Sequence, residues 1–338
     1  MELNIEKIAY LQKLNANELG YRGDKPGGAG RFFLVSKSCI SFFPPLSELA
    51  LNDHVLLETI PPFSDEVVLS NYVYHNSKYA TNVEAENRNE YRFYLNSATD
   101  PSSSYYEPGD IVVFIKILPQ DNAYPVYKLF RYKITDPNYQ KLLEQIEKND
   151  ARSHSKALVP LKDLTFLDGL EPISIGRKVI PPEIIEGSFN EPVEQVPVQE
   201  EDKIDTTQVI RSRSFRDLTL YFYEDRCAVT GRDLVIEYKD FKNLEAAHIL
   251  ARAAGGGSHP SNGMALERNL HWAFDKGFFT LTEDYKVEVH PKAMHVNYLK
   301  NKHGQNLLLP QDARSRPNVD SIQWHRKNVF GLFLRTEA

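Results

Sequence analysis

The stretch EAAHILARAAGGGSHPSNGMALERNLHWAFDKG, residues 245–277, constrains this chain more than any other. An apolar run ends on His248, a Pro/Ser/Gly turn carries Asn262, and a helix-like run carries His271 about one turn in. Thirteen residues separate His248 from Asn262, and eight separate Asn262 from His271. NLEAAHIL and GMALE read as the two strands of a hairpin, and RNLHWAFDKG as a helix crossing behind it. Such a unit turns three polar side chains toward one point. Neutral imidazole, with an unperturbed pKa of roughly 6.5, suits a base that deprotonates water. A second imidazole suits a divalent cation, and an asparagine can fix the loop between them. The glycines at 255–257 lack the following Lys-Ser or Lys-Thr of a phosphate-cradling loop and read as a flexible span between the strands.

The chain has 338 residues, which allows one large domain or two ordinary ones, and its 41% hydrophobic content is enough to bury real cores. Its two cysteines, Cys39 and Cys227, form no Cys-x-x-Cys pair. A thiolate zinc knuckle is therefore excluded, and a reducing, cytoplasmic setting without disulfides is expected. Cys227 is expected to pack under the hairpin. The opening MELNIEKIAYLQKL is not a signal peptide, and no apolar run approaches the ~20 residues of a membrane helix. The net charge of −6 argues only weakly against nucleic acid, because local patches outweigh the total.

Residues 177–204, RKVIPPEIIEGSFNEPVEQVPVQEEDKI, combine four prolines with a run of acids. This composition reads as a solvated linker, with a long ordered surface loop as the alternative. It leaves a domain at 1–176 and another at 205–338. The first is strand-rich: VVLSNYVYHNS, EYRFYLNS, DIVVFIKIL and YPVYKLFRYKI are full of Val, Ile, Tyr and Phe, and fit a barrel or sandwich. One amphipathic helix, NYQKLLEQIEKND, follows Pro137. The second domain opens on a helix whose start is read at Ser214, three residues before Asp217, as a capping box. A further helix, NVDSIQWHRKNVF, lies near the end.

The motifs RCAVTG, LEAAHI, HPSNGMAL and LHWAFDKG resemble the HNH, or ββα-metal, endonucleases that lack zinc-binding cysteines. The resemblance runs from about 213 to 335. It implies that His248 is the general base, Asn262 the loop-holding asparagine and His271 a metal ligand, with a 5′-phosphate product. Many members place a metal ligand directly before the base, where this chain has Ala247. Glu245, two residues back on the same strand face, is the carboxylate expected to reach the ion, and Asp275 is a second candidate. His259 either assists at the phosphate or shapes its turn. Arg252 and Arg268 flank the site and are candidate phosphate contacts.

A weaker resemblance lies upstream. KLNANELGYRGDKPGGAGRFFLVSK and YHNSKYATNVEAENRNEYRFYLNS are similar to the recognition arms of the DNA-binding pseudobarrel of EcoRII-type restriction enzymes. Arg22, Lys25 and Arg31 surround a glycine-rich loop; Arg88, Asn89, Arg92 and Asn96 offer forked donors and amides. Arg pairs with guanine and Asn with adenine, each worth roughly 1–3 kcal/mol of discrimination. A sheet edge guarded by charges is the bland alternative. The resulting expectation is an α+β chain of two domains, a strand-rich pseudobarrel and a ββα-metal nuclease. It would act as a type II-like restriction endonuclease on double-stranded DNA, with Mg²⁺ or Mn²⁺, as a homodimer. The alternatives are a nonspecific antiviral or toxin nuclease with a sensor domain, and a silenced DNA-binding regulator.

Overall fold

The computed structural model describes residues 3–22, 25–26, 30–76, 89–119, 124–150, 155–167, 173–194, 206–233, 235–236 and 241–335. They divide into two compact units: residues 1–184 with 204–211, and residues 185–203 with 212–338.

The first unit is a nine-stranded sheet. Its strands are β1 (Leu3–Lys13), β2 (Phe32–Val35), β3 (His54–Ile60), β4 (Val67–His75), β5 (Glu90–Tyr94), β6 (Ile111–Pro119), β7 (Val126–Tyr132), β8 (Lys156–Pro160) and the short β9 (Lys178–Val179). The order is β8-β1-β6-β7-β3-β4-β5-β2, with β9 added parallel to β4. The β3–β7 pair is also parallel, and the other neighbours are antiparallel. Phe114 on β6 lies 5.5 Å from Phe93 on β5, four positions away in that order. At about 4.8 Å per strand, a flat sheet would hold them about 19 Å apart. The sheet therefore curls back on itself into a nearly closed barrel, although among the described residues its end strands do not pair.

The uninterrupted apolar run of β6 follows from this curl. Val112 and Phe114 face an aromatic interior that includes Tyr10, Phe33, Phe43, Tyr72 and Tyr127. Ile111, Val113 and Ile115 face outward against α1 (Tyr139–Asn149), which buries Tyr139, Leu142 and Ile146 at helical spacing. A strand buried on both faces loses its polar alternation, and each such side chain contributes about 1.5–3 kcal/mol of burial.

The second unit carries most of α3 (Thr206–Phe222), which follows the short α2 (Pro182–Ser188). The helix begins eight residues before Ser214, so Ser214 is interior and not a cap; this corrects the capping-box reading. Then come β10 (Leu244–His248), β11 (Gly263–Glu267) and α4 (Arg268–Asp275). The hairpin β12 (Phe279–Leu281) and β13 (Val287–Val289), the single turn α5 (Asn297–Lys300) and α6 (Val319–Asn328) complete it. Asn318 caps α6 by accepting from the Ser321 N–H at 3.0 Å. Cys227, Ala247, Met264, Leu266, Leu270 and Phe274 share one core, with Cys227 fully buried.

The acidic, proline-bearing segment is not a free linker over its described part, which corrects the reading of 177–204. Arg177 leads into β9, and residues 182–188 are helical. Within the second unit Val193 O accepts from the Gly257 N–H at 2.8 Å, Glu194 bridges Gly256, and Arg314 grips Glu186 with both terminal nitrogens. Composition favoured a solvated chain, but backbone pairing and a forked ion pair hold it. Residues 195–205 lie outside the described residues.

Candidate active site

The hairpin fixes where the first histidine stands. Leu244 pairs with Glu267, Ala247 with Met264, and His248, the last residue of β10, with Gly263. Asn262 directly precedes β11 and is fully buried. Its carboxamide closes the loop: Oδ1 accepts from the Leu250 N–H at 2.8 Å, and Nδ2 donates to Leu250 O and Gly257 O at 3.1 Å each. Its carbonyl accepts from the Ile249 N–H at 2.9 Å. Both amide donors and the carboxamide oxygen are engaged in keeping the chain after His248 against the start of β11.

The glycines of this loop are packed, not flexible, which corrects the earlier reading. A Cβ on Gly257 would lie 2.0 Å from Pro192 O. The loop that holds Asn262 is thus itself held by the segment at 192–194, a support that only the tertiary structure reveals.

His271 stands one turn into α4. Its Nδ1 is 2.8 Å from Glu245 Oε2, and its Nε2 is 3.4 Å from Asp275 Oδ2. Arg268 donates from Nε to Glu245 Oε1 at 2.9 Å. Burial raises the Glu245 carboxyl, but the hydrogen bonds from His271 and Arg268 outweigh it and hold the group below its ordinary range. Burial pushes Asp275 up, against the pull of His271 and Lys276. Ala247 has no exposed surface and belongs to the core, so the carboxylate beside His271 comes from Glu245. Among the described residues no group of three or more His, Cys, Asp or Glu forms a ready-made metal cage. The structure brings Glu245 and His271 together as two oxygen and nitrogen donors.

His248 lies in a drier place. Burial, then the charges of Arg252 and His271, push its imidazole down to about 4. Arg252 donates to Ser212 Oγ at 3.0 Å. Phe215 of α3 stacks on the His248 ring, a partner no sequence motif signalled. His259 accepts at Nδ1 from the Ser261 N–H at 3.0 Å and so shapes the turn before Asn262. His325 is also buried, but its nitrogens are used by Thr280 Oγ1 and Phe274 O, and it belongs to the framework.

In the first unit the candidate DNA contacts divide. Arg31 pairs with Asp100 and donates to Leu19 O and Tyr106 O at 2.8 and 2.7 Å. Arg92 is buried, binds Glu90 and the Tyr94 hydroxyl, and stacks 4.3 Å over Phe32. Asn96 caps a turn through the Ala98 and Thr99 N–H groups and donates to Leu69 O. These three help to build the sheet and its turns. Asn89 accepts from the Tyr74 hydroxyl at 3.0 Å. Arg22 and Lys25 pair across a two-residue ladder, and Arg88 lies outside the described residues.

A strand hairpin closed by a helix, with an imidazole at the strand end, a buried amide locking the loop and a helix imidazole paired with a strand carboxylate, is the layout of ββα nucleases. Residues 227–282 match the family model of the HNH endonucleases, so the second unit carries an HNH endonuclease domain. A solved structure described as a modification dependent TagI restriction endonuclease aligns with 28% identity over 36% of this chain, with a TM-score of 0.28. The alignment spans 39% of that chain, well under two thirds of its length. No curated protein matches.

Proposed function

We propose that this protein is a metal-dependent DNA endonuclease of the restriction type, in which the HNH unit cuts and the strand-rich unit selects the site. The observation that carries the reading is the shared locus of His248, the Asn262-locked loop and the Glu245–His271 pair, inside a segment matching the HNH endonucleases. Neutral His248 takes a proton from water; the water oxygen bonds to phosphorus, and the bond from phosphorus to the 3′ oxygen breaks. The phosphate stays on the 5′ end of the downstream fragment, and the 3′ oxygen of the upstream fragment collects its proton from solvent. A low imidazole pKa keeps His248 unprotonated and ready for this role at neutral pH.

His271 and Glu245 would hold the cation. One imidazole nitrogen and a carboxylate suit a hard divalent ion such as Mg²⁺ or Mn²⁺, which keeps several waters and takes few protein ligands. When bound, it would neutralise charge building on the phosphate and leaving oxygen. Arg252 and Arg268 border this locus and are proposed phosphate contacts. Arg22 and Lys25 are the proposed reading residues of the first unit.

Digesting a randomised duplex pool, with and without modified bases, and sequencing the ends tests the reading. Ends with 5′-phosphates at a shared site, abolished by EDTA, are expected. Cleavage that persists in excess chelator after dialysis contradicts metal dependence, and random ends contradict site selection and favour a nonspecific nuclease.

A further inference from the structure

A general base in a hydrolytic site is ordinarily aimed by a hydrogen bond from a third group to its far ring nitrogen. Among the described residues, His248 has no such bond. Its ring instead lies flat against Phe215, with centroids 3.8 Å apart and planes 14° apart. His325 provides the contrast within the same unit. It stacks as closely on Phe274, at 3.7 Å and 7°, yet both its nitrogens are also hydrogen-bonded. For His248 the stack is the described restraint on the ring plane.

The backbone is cleared for this contact. Gly263 is the strand partner of His248, and a Cβ there would come 3.0 Å from the Phe215 ring and 2.5 Å from Thr219 Oγ1. Phe215 and Thr219 are four residues apart on α3 and so share one face. Both are buried, and the Thr219 hydroxyl has no hydrogen-bond partner, so this face meets the hairpin by close packing alone. Arg216 of the same helix donates to Leu244 O at 3.2 Å, at the far end of β10. The helix is thereby pinned along the strand. It lies upstream of residues 227–282, outside the family match.

We propose that Phe215 is a positioning residue for phosphodiester cleavage: its ring fixes the plane of the His248 imidazole and aims a ring nitrogen at the attacking water. The inference rests on the reading of His248 as general base. The stack covers one face of the imidazole and leaves its edge, where the nitrogens are, free to meet water. An imidazole released from this plane rotates, and small misplacements of a reacting group cost up to about 10²-fold in rate. The loss falls on kcat, because His248 abstracts a proton and does not grip the DNA.

Cleavage by the full-length protein with its divalent ion tests this. Phe215→Leu, which fills similar space without a flat face, is expected to lower kcat about tenfold to a hundredfold with KM for DNA unchanged. Phe215→Tyr and Phe215→Trp, which keep a stacking ring, are expected to restore most of it. In a His248→Ala background, Phe215→Leu should lower residual cleavage no further, since the group it aims is gone. Wild-type kcat in a folded Phe215→Leu protein, or an undiminished loss in the His248→Ala background, overturns the proposal. If Phe215→Leu fails to fold, the wild-type protein still decides. The stack predicts upfield ring-current shifts of the His248 carbon-bound ring protons, and their absence overturns it. Full cleavage by His248→Ala would instead remove the reading of the base itself, leaving the two failures distinct.

Discussion

Burial pushes two histidines in the second unit down to about 4, and only one of them is the proposed base. Burial is the leading cause in both. For His325 the neutral ring is fully engaged, so its titration concerns stability. For His248 the ring edge is uncommitted among the described residues, so its titration concerns rate as well. The sign is the same for stability. Each folded-state value lies below the unfolded value of ~6.5, so each neutral ring contributes stability in full above about pH 6.5 and loses it as pH falls toward 4. The shift corresponds to about 3 kcal/mol per histidine. The thermal midpoint of the second unit is expected to drop steeply between pH 6.5 and 4, and His325→Gln should flatten that drop; an unchanged slope in the variant would assign the acid sensitivity elsewhere. The cleavage rate should hold level from pH 8 down to about pH 5 and fall only as His248 protonates near 4. A rate that halves near pH 6.5 would mean that the ring is not desolvated. His248→Ala should lower cleavage by roughly 10²–10⁴-fold with DNA binding retained.

At the scale of elements, the hairpin and α4 place the polar groups, but neither stands alone. The loop between β10 and β11 is clamped from inside by Asn262 and from outside by residues 192–194. Gly257 is where the two clamps meet, because Pro192 O occupies the space of a side chain. Gly257→Val should therefore destabilise the unit by a few kcal/mol, within the range of overpacking, and slow cleavage by loosening Asn262. A chain beginning at residue 185 should keep the nuclease unit intact. One beginning at 205 lacks the outer clamp and the Glu186–Arg314 pair and should melt lower. Equal midpoints for the two truncations, by circular dichroism, would show that residues 185–194 merely rest on the surface.

For the whole molecule, selection and cutting are proposed to be separate tasks of separate units. Arg22 and Lys25 are the proposed reading residues; Arg31, Arg92 and Asn96 also have structural work inside the sheet. Full-length His248→Ala protein should bind its cognate duplex with affinity falling as salt rises, because phosphate contacts release counterions. Arg22→Ala should cut the preference for that duplex over a scrambled one by about 5- to 150-fold, the equivalent of roughly 1–3 kcal/mol. Equal affinity of both duplexes for the unsubstituted protein would place recognition elsewhere. One ββα locus cuts one strand per event, so breaking both strands requires two chains or two successive cuts. A homodimer matching a near-palindromic site is the proposed arrangement. Light scattering with cognate DNA should give the mass of two 38.8 kDa chains plus one duplex; one chain per duplex with a long-lived nicked intermediate would favour sequential cuts. No helix among the described residues is long and apolar enough to cross a membrane.

Elements with strong local codes were legible in the residues alone. Residue type and spacing placed the hairpin, α4, His248, Asn262 and His271, because a strand end, a turn and a helix turn each leave a short-range pattern. The β-rich runs, α1 and α6 were legible for the same reason. The tertiary structure decided what depends on partners distant in the chain. Apolar residues in β6 signal burial, but only the Phe93–Phe114 contact across four strand positions shows that the sheet curls. Acids and prolines at 177–194 predict solvation, but Val193 and Glu186 find partners 64 and 128 residues away, which composition cannot encode. Arg31 and Arg92 look like free donors in sequence, and the fold gives them carboxylate, carbonyl and hydroxyl partners. Phe215 reads as one more apolar helix residue; its stack on His248 exists because the fold laid α3 across a glycine in the opposite strand. Local patterns are written in neighbouring residues, whereas long-range partners are chosen by packing, and packing is a property of the assembled chain.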